Sequence, residues 1–324
     1  MVSDQNDRES GRQRTAQPSL GEQDALSAVD AAAFEALRQG EVTVVGRLAD
    51  ASNGVLLVRV AGLGQSAPGQ GPRSGYAVYK PIRAERPLWD FPDGTLADRE
   101  VAACLIDRAG GWGVVPATVL RDGPRGPGSL QRWVGPPPLG IPLDPDALED
   151  PDARRASRPP PDPRVVAVVA THDVEQTWLP VLPARLPDGT AVVVAHADTP
   201  ELASIAVLDA VLNNTDRKGC HLLRDDDGSL WGIDHGVSLH AQDKLRTILW
   251  GWEGNPLPAE DVARLRRLRA ALDEHGVRGL TARLRAHLTP AEIDALHLRV
   301  DRLLAGGIFP SPAPDWHAIP WPPL

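Results

Sequence analysis

The chain has 324 residues, 42% hydrophobic and 24% charged, a composition typical of a folded protein rather than a disordered one. Its formal net charge of −9 argues against a general nucleic-acid binder, because such proteins depend on Lys and Arg contacts to phosphate. No apolar run reaches the ~20 residues of a membrane helix, and the first twenty residues lack the apolar core of a secretory signal. Two cysteines, Cys104 and Cys220, cannot build a disulfide framework. We therefore expect a cytoplasmic protein with no integral membrane association and no nucleic-acid partner.

In chain order, the first half of the sequence is predicted to be rich in strands. Two β-branched runs separated by a turn predict a hairpin, and the Gly- and Pro-rich stretch 61–74 is expected to be a loop. Thr95 is expected to cap a helix that ends at a pair of glycines. The predicted helices are 22–39 and 96–109, and the predicted strands are 42–48, 55–60, 76–80, 114–120 and 129–134.

After a dense Pro/Asp stretch, the second half is predicted to be mostly helical. Its predicted strands are 165–170 and 190–196, with a small hairpin of 222–223 and 230–233, and its predicted helices are 201–212, 259–274 and 281–304. This order predicts an α+β protein of two lobes, a β-rich N-lobe with one inserted helix and a mainly helical C-lobe. The expected divisions are a disordered tail (1–21), an N-lobe with a leading helix (22–134), a Pro-rich linker (135–164), a C-lobe (165–309) and a Pro-rich tail (310–324).

Two polar stretches, 213–221 and 233–236, stand between apolar elements of the second half. A loop that only turns does not need Asp, Arg, Lys and His together. One interpretation is a pair of working carboxylates, in which Asp216 accepts a proton from a hydroxyl and Asp234 holds a divalent ion against phosphates. The other interpretation is a pair of solvated turns.

Two residues of the first half favour the first interpretation. Lys80 ends a predicted strand and Glu100 lies in the helix that follows, the order in which a protein-kinase-like lobe places the pair that holds nucleotide phosphates. Each residue alone is ordinary, since a Lys at a strand end is usually exposed and a Glu early in a helix favours the helix dipole. Four such features in the right order indicate a phosphotransferase.

The sequence resembles the phosphatidylinositol 3-/4-kinase-like proteins, among them the type II phosphatidylinositol 4-kinases and an actinobacterial branch related to them. The resemblance covers residues 41–305. The matching residues are Tyr79-Lys80-Pro81, Arg99-Glu100, Asn214-Thr215-Asp216-Arg217, Ile233-Asp234-His235-Gly236 and the stretch KPIRAERPLWDFPDGTLADREVAA. The resemblance implies a two-lobed kinase fold with ATP in the cleft.

The resemblance also implies roles for individual residues. Lys80 would contact the nucleotide phosphates and Glu100 would orient it. Asp216 would be the catalytic base and Arg217 would steady its loop. The turn Ser52-Asn53-Gly54 would cover the phosphates, although that composition is common in turns.

The metal ligands implied by the resemblance are His221 and Asp234, and one of them departs from the family pattern. The relatives place Asn five residues after the catalytic Asp, where this chain has His221. Magnesium prefers oxygen ligands, whereas an imidazole suits a softer ion such as manganese. The expected cofactors are ATP with Mg²⁺ or Mn²⁺, and it stays open whether the metal differs, a water intervenes or the activity is lost.

Several other functions remain open at the level of sequence. A pseudokinase, which binds nucleotide without phosphoryl transfer, is favoured by His221 and disfavoured by the other intact positions. The acceptor hydroxyl can belong to a lipid, a small molecule or a protein, the last as in HipA-type toxin kinases. A kinase resembling aminoglycoside phosphotransferases is disfavoured because a His-Gly-Asp loop is absent. A zinc site of Cys220, His221, His235 and His240 is disfavoured because adjacent strand residues face opposite ways.

Overall fold

A twisted sheet carries most of the first half of the chain. The structure is a computed structural model that describes residues 20–48, 54–64, 73–86, 88–91, 95–136, 138, 140, 155–157, 160–174 and 176–324. Within these residues the sheet has the order β4-β5-β3-β2-β1-β6. Its strands are β1 (Val42–Leu48), β2 (Leu56–Gly64), β3 (Arg73–Pro81), β4 (Thr118–Gly123), β5 (Gly126–Arg132) and β6 (Arg155–Ala156).

The sheet is antiparallel except at one edge. β1 and β2 pair as the predicted hairpin. β2 and β3 extend into the stretch 61–74 that was expected to be a loop, of which residues 65–72 lie outside the described part. β6 belongs to the predicted Pro-rich linker and pairs parallel to β1, with Arg47 opposite Arg155 and Leu48 opposite Ala156. The linker therefore returns to the sheet within its described residues.

Two helices pack with this sheet, α1 (Leu20–Gln39) and α2 (Leu96–Gly110). α1 buries Leu37 against the apolar side chains of β2, and α2 is buried over most of its length. The prediction that Thr95 caps α2 is wrong. Its φ of 68° lies in the left-handed region and its side chain makes no capping bond. The carboxylate of Glu85 accepts the bonds from the backbone N–H groups of Leu96 (3.1 Å) and Ala97 (2.8 Å) instead.

A second sheet, antiparallel with order β7-β9-β8, opens the second half of the described chain. Its strands are β7 (Val166–Ala170), β8 (Trp178–Arg185) and β9 (Ala191–Ala197). β8 was missed in the sequence because it contains Pro180 and Pro183. It lies at the edge of its sheet, where a strand tolerates residues without an N–H group.

The second half of the chain has a buried helix, α3 (Pro200–Leu212), in which every residue from Leu202 to Leu212 is buried. The hairpin β10 (Leu222–Arg224) and β11 (Leu230–Gly232) follows α3 as predicted. The remaining helices are α4 (Ala259–Asp273), α5 (Leu280–Leu284) and α6 (Pro290–Gly306).

The single helix predicted over 281–304 is two helices. Thr289 and Glu292 form a capping box in which each side chain binds the other residue's backbone N–H, and Pro290 occupies the first helical turn of α6. These residues start a new helix inside an amphipathic pattern. The predicted α+β class is confirmed, while the two-lobed kinase-like arrangement stays a prediction.

Candidate active site

A cavity of about 730 Å³ brings together side chains from both halves of the chain. Of the residues predicted to cover phosphates, Gly54 lines this cavity, while Ser52 and Asn53 lie outside the described residues. The ionisable side chains that line it include Lys80, Glu100, Asp216, Lys218, His221 and Asp234. Five of these six, all except Lys218, were predicted from the sequence to be site residues. The predicted residue Arg217 does not line the cavity.

Lys80 lies at the end of β3 and is held between two carboxylates. Its Nζ contacts Glu100 Oε1 and lies 2.7 Å from Asp234 Oδ1. Glu100 is buried on α2, so this contact joins the helix to the sheet. Burial lowers the pKa of Lys80, but the charges of Asp234 and Glu100 outweigh it, and the pKa is raised above its usual value. Lys80 is therefore a firmly protonated cation facing the cavity.

Asp216 lies in a tight loop that starts where α3 ends. Asn213 ends α3 in the left-handed conformation, with φ of 52°. The Asn214 side-chain oxygen then accepts a bond from the Asp216 N–H (3.0 Å), which turns the chain. Lys218 Nζ lies 3.0 Å from Asp216 Oδ2. Burial raises the pKa of the Asp216 carboxyl and the Lys218 charge opposes that rise, so this carboxylate is a better proton acceptor than an exposed Asp.

Arg217 is a fully buried connection between the two polar loops. Its guanidinium binds both carboxylate oxygens of Asp209 at 2.7 and 2.9 Å, and it donates to the Ile233 carbonyl at 2.8 Å. It also lies 2.8 Å from Nε2 of His235, whose pKa is lowered well below its usual value by burial and by the Arg217 charge. A neutral His235 accepts this bond. Arg217 thus fixes the backbone next to Asp234 from within the Asp216 loop.

No role was predicted from the sequence for Lys218, which contacts Asp216, or for Asp209, which binds Arg217. Asp209 lies within the apolar helix α3, fully buried, and Asn214 Nδ2 also donates to it at 2.9 Å. An acidic residue inside an otherwise apolar helix is a signal that a buried cation lies nearby. The sequence alone does not identify that cation as Arg217.

Asp234 and His221 lie side by side in the cavity lining. Asp234 Oδ2 lies 3.3 Å from His221 Nε2. The Ile233 N–H donates to the His221 carbonyl at 3.0 Å, which holds the two loops in register. Asp234 has φ of 61°, a left-handed backbone conformation that is uncommon outside glycine and costs about 1 kcal/mol. The fold therefore keeps this side chain in place against a local preference.

His221 and Asp234 fit a divalent ion that takes most of its ligands from groups other than protein side chains. His221 and Asp234 supply one imidazole and one carboxylate, and no group of three acidic, His or Cys residues gathers anywhere in the described chain. An ion bound by these two residues needs phosphate and water oxygens, which is how Mg²⁺ and Mn²⁺ bind with nucleotides. The imidazole favours Mn²⁺.

The four residues of the alternative zinc site do not converge. His235 is bonded to Arg217, and His240 packs edge-on against Phe91 with ring centroids 5.4 Å apart. Cys220 and His221 line the cavity together, but the other two rings have these separate partners.

Comparison with known proteins identifies a relative along nearly the whole chain. The chain is 42% identical over 286 residues to Protein Rv2133c of Mycobacterium tuberculosis, covering 88% of this chain and 93% of the relative. The chain belongs to the Rv2133c family. The name of that relative states no activity. A scan against protein-family models finds no match, so the resemblance of this Rv2133c-family chain to phosphatidylinositol 3-/4-kinase-like proteins stays a prediction.

A search of solved structures relates the Rv2133c-family chain to a bacterial kinase at low similarity. The crystal structure of the Helicobacter pylori proinflammatory kinase CtkA has 10% sequence identity and a TM-score of 0.36, with 84% of this chain and 94% of that chain covered. A likeness of this size does not define the fold or the activity. Among the described helices, none combines the length and the apolar character needed to cross a membrane.

Proposed function

We propose that this chain is an ATP-dependent phosphotransferase of the phosphatidylinositol 3-/4-kinase-like type, with a two-lobed kinase-like fold. It transfers the γ-phosphate to the hydroxyl of an acceptor that can be a lipid, a small molecule or a protein. One observation carries the proposal. Lys80 contacts Glu100 and Asp234 at once, and Asp216 and His221 line the same cavity, although these residues come from separate parts of the sequence.

The proposed mechanism assigns one task to each side chain. Lys80 binds nucleotide phosphate oxygens, and the buried Glu100 holds its ammonium group in place. Asp216 accepts the proton of the acceptor hydroxyl, a task that its raised pKa favours. Asp234 and His221 would hold a divalent ion, which neutralises phosphate charge when bound.

Arg217 is a buried positioning residue next to the cavity. It does not itself line the cavity, but it donates to the carbonyls of His221 and of Ile233, next to Asp234, and it binds Asp209 on α3. It therefore keeps the proposed base and the proposed metal ligand at a fixed separation.

A nucleotide-binding pseudokinase is the second candidate, and one observation favours it. Asp234 lies within 2.7 Å of Lys80 and 3.3 Å of His221, so both of its oxygens already have partners of this chain. If these contacts persist when nucleotide binds, Asp234 does not hold a metal. Binding without transfer is then the expected behaviour.

One set of measurements on the purified chain distinguishes the two candidate functions. ATP affinity is measured with Mn²⁺ and with Mg²⁺, and transfer from labelled ATP is followed with lipid, protein and metabolite acceptors. The phosphotransferase proposal expects transfer to at least one acceptor, with loss of transfer but retained ATP binding in Asp216→Asn. The matched control Asp226→Asn, an exposed carboxylate of the β10–β11 turn, should behave as wild type. ATP binding without transfer to any acceptor supports the pseudokinase, and no ATP binding contradicts both.

A further inference from the structure

Residues 313–324 run from the protein surface to the edge of the candidate active site, and we call them the strap. The strap contains no helix or strand. At its start, the Trp316 ring packs against Trp89 with centroids 5.6 Å apart, and the Lys244 ammonium lies 4.8 Å from both rings. Arg246 lies over the same Trp316 ring at 5.3 Å. These aromatic and cationic contacts hold the first part of the strap.

Two hydrogen bonds to one carbonyl hold the middle of the strap. The Ala318 carbonyl accepts from the Thr247 backbone N–H (3.0 Å) and from the indole N–H of Trp250 (2.8 Å). Pro320 is buried two residues further on, while Trp321 is 83% exposed. One side of the strap therefore packs on the protein and the other faces solvent.

The last residues of the strap reach the loop that carries Asp216. The Gly219 N–H donates to the Pro323 carbonyl (2.9 Å), and Pro322 and Leu324 line the cavity. A Cβ at Gly219 would lie only 2.8 Å from Leu324 Cδ2, so the absence of a side chain there permits this close approach. The same position lies 3.5 Å from Val166 Cβ, and Leu324 packs against the apolar cluster that contains Val166.

The chemistry of this contact is that of peptide recognition. A backbone N–H donating to a peptide carbonyl accepts any sequence, while an apolar pocket selects the side chain beside it. The strap sequence from Ala318, AIPWPPL, has three prolines in seven residues. Such segments lose little conformational entropy on binding, because proline restricts them beforehand.

We propose that the surface formed by Thr247, Trp250, Val166 and Gly219 is a binding site for a proline-rich apolar peptide. The strap fills it in cis, and a partner peptide of the same chemistry binds by displacing the strap. This binding proposal does not require that the chain transfers phosphate. A further consequence rests on the proposed function, because displacement of Pro322 and Leu324 would open the Asp216 side of the cavity to an acceptor.

Binding of a synthetic peptide with the sequence of residues 318–324 tests the proposal without ATP. Leu324→Glu places a charge against Gly219 and Val166 and should release the end of the strap. Fluorescence anisotropy of the labelled peptide is then compared in wild type, Leu324→Glu and the matched control Trp321→Ala, which changes an exposed strap residue. The tethered strap competes at an effective concentration on the order of millimolar, so we expect at least roughly tenfold tighter binding to Leu324→Glu than to the other two.

Two results would overturn the proposal. Equal affinity of the peptide for all three proteins would mean that the strap does not compete for the site. No binding to Leu324→Glu at about 1 mM peptide would mean that the surface does not hold such a segment, since cis occupancy needs an affinity on that scale. Circular dichroism checks that Leu324→Glu is folded. Leu324→Ala, which shortens the side chain next to Gly219 without adding a charge, is the second release variant and carries the same expectation. Absence of phosphoryl transfer, by contrast, bears only on the proposed function.

Discussion

Asp209 on α3 holds the guanidinium of Arg217 through two parallel hydrogen bonds, and both side chains are buried from solvent. The paired geometry directs the remaining N–H groups of Arg217 to the Ile233 carbonyl and to His235. A single ion pair inside the protein thereby connects the end of α3, the Asp216 loop and the Asp234 loop.

Asp209→Asn should reduce the free energy of unfolding by about 3–5 kcal/mol, because it leaves the Arg217 charge buried without its carboxylate. Urea unfolding measures the change. The control Asp243→Asn breaks an exposed pair with Arg302 by the same substitution and should cost less than about 1 kcal/mol. Equal losses of unfolding free energy in the two variants would show that the Asp209–Arg217 pair contributes no more to stability than the exposed pair.

The Lys80–Glu100 pair should show strong coupling in a double-mutant cycle. Lys80→Met removes the cation next to Glu100, which is 1% exposed, so the single variant should be destabilised as well as weakened in ATP binding. A Lys at a strand end is usually exposed, and its removal would then weaken ATP binding and hardly affect stability. Burial of Glu100 changes that expectation.

The double variant Lys80→Met/Glu100→Gln should recover part of the lost stability, with a coupling of about 1–3 kcal/mol, while ATP binding stays weak. Thermal or urea unfolding without nucleotide gives the four stabilities. Additive losses would contradict the coupling. Recovered ATP binding in the double variant would remove Lys80 from the proposed nucleotide site.

The sequence predicted the elements whose structure depends on neighbouring residues in the chain. The hairpin of β1 and β2, helix α3 and the small β10–β11 hairpin follow from periodicity and turn residues, and the predicted site positions Lys80 and Glu100 meet in space. These features need only the chain order and the directions of neighbouring elements.

The features that the sequence did not reveal depend on distant partners. Glu85 caps α2 from eleven residues upstream, whereas the sequence next to the helix favours Thr95 as the cap. β8 becomes recognisable as a strand only beside β9, because its prolines suit an edge. The role of Asp209 exists only because the chain brings Arg217 back against α3.

His221→Asn should shift the metal preference of ATP binding from Mn²⁺ toward Mg²⁺, because an amide oxygen replaces an imidazole nitrogen beside Asp234. Titration of ATP affinity with each metal measures the preference in the variant and in wild type. The control His172→Asn changes an exposed histidine and should leave it unaltered. An unchanged preference in His221→Asn would mean that His221 is not a metal ligand.

Stability should fall in mild acid because of His196. The Gly251 N–H donates to its Nε2 (3.1 Å), so Nδ1 carries the proton and donates to the Ala197 carbonyl (3.0 Å). Burial lowers the pKa of His196 to about 4, against about 6.5 when unfolded. Between these values the unfolded chain binds a proton that the folded chain does not. The free energy of unfolding therefore decreases as pH falls from 6.5 to 4, by up to about 3 kcal/mol.

Urea unfolding at pH 7 and pH 5 checks this dependence. His196→Gln, which cannot titrate, should be less stable at pH 7 but lose less stability on acidification than wild type. The exposed His172→Gln should keep the wild-type dependence. A His196→Gln protein with an unchanged difference between the two pH values would assign the acid sensitivity to other groups.

The cavity holds more negative than positive charge before any ligand arrives. Among its described lining residues, four carboxylates face three cations: Glu85, Glu100, Asp216 and Asp234 against Lys80, Lys218 and Arg86. Like charges repel more strongly in a partly enclosed space than in bulk water. A bare polyphosphate would therefore meet a repulsive field, whereas one that carries its own cations would not. Metal-free nucleotide should for this reason be a poor competitor of its metal complex for this cavity.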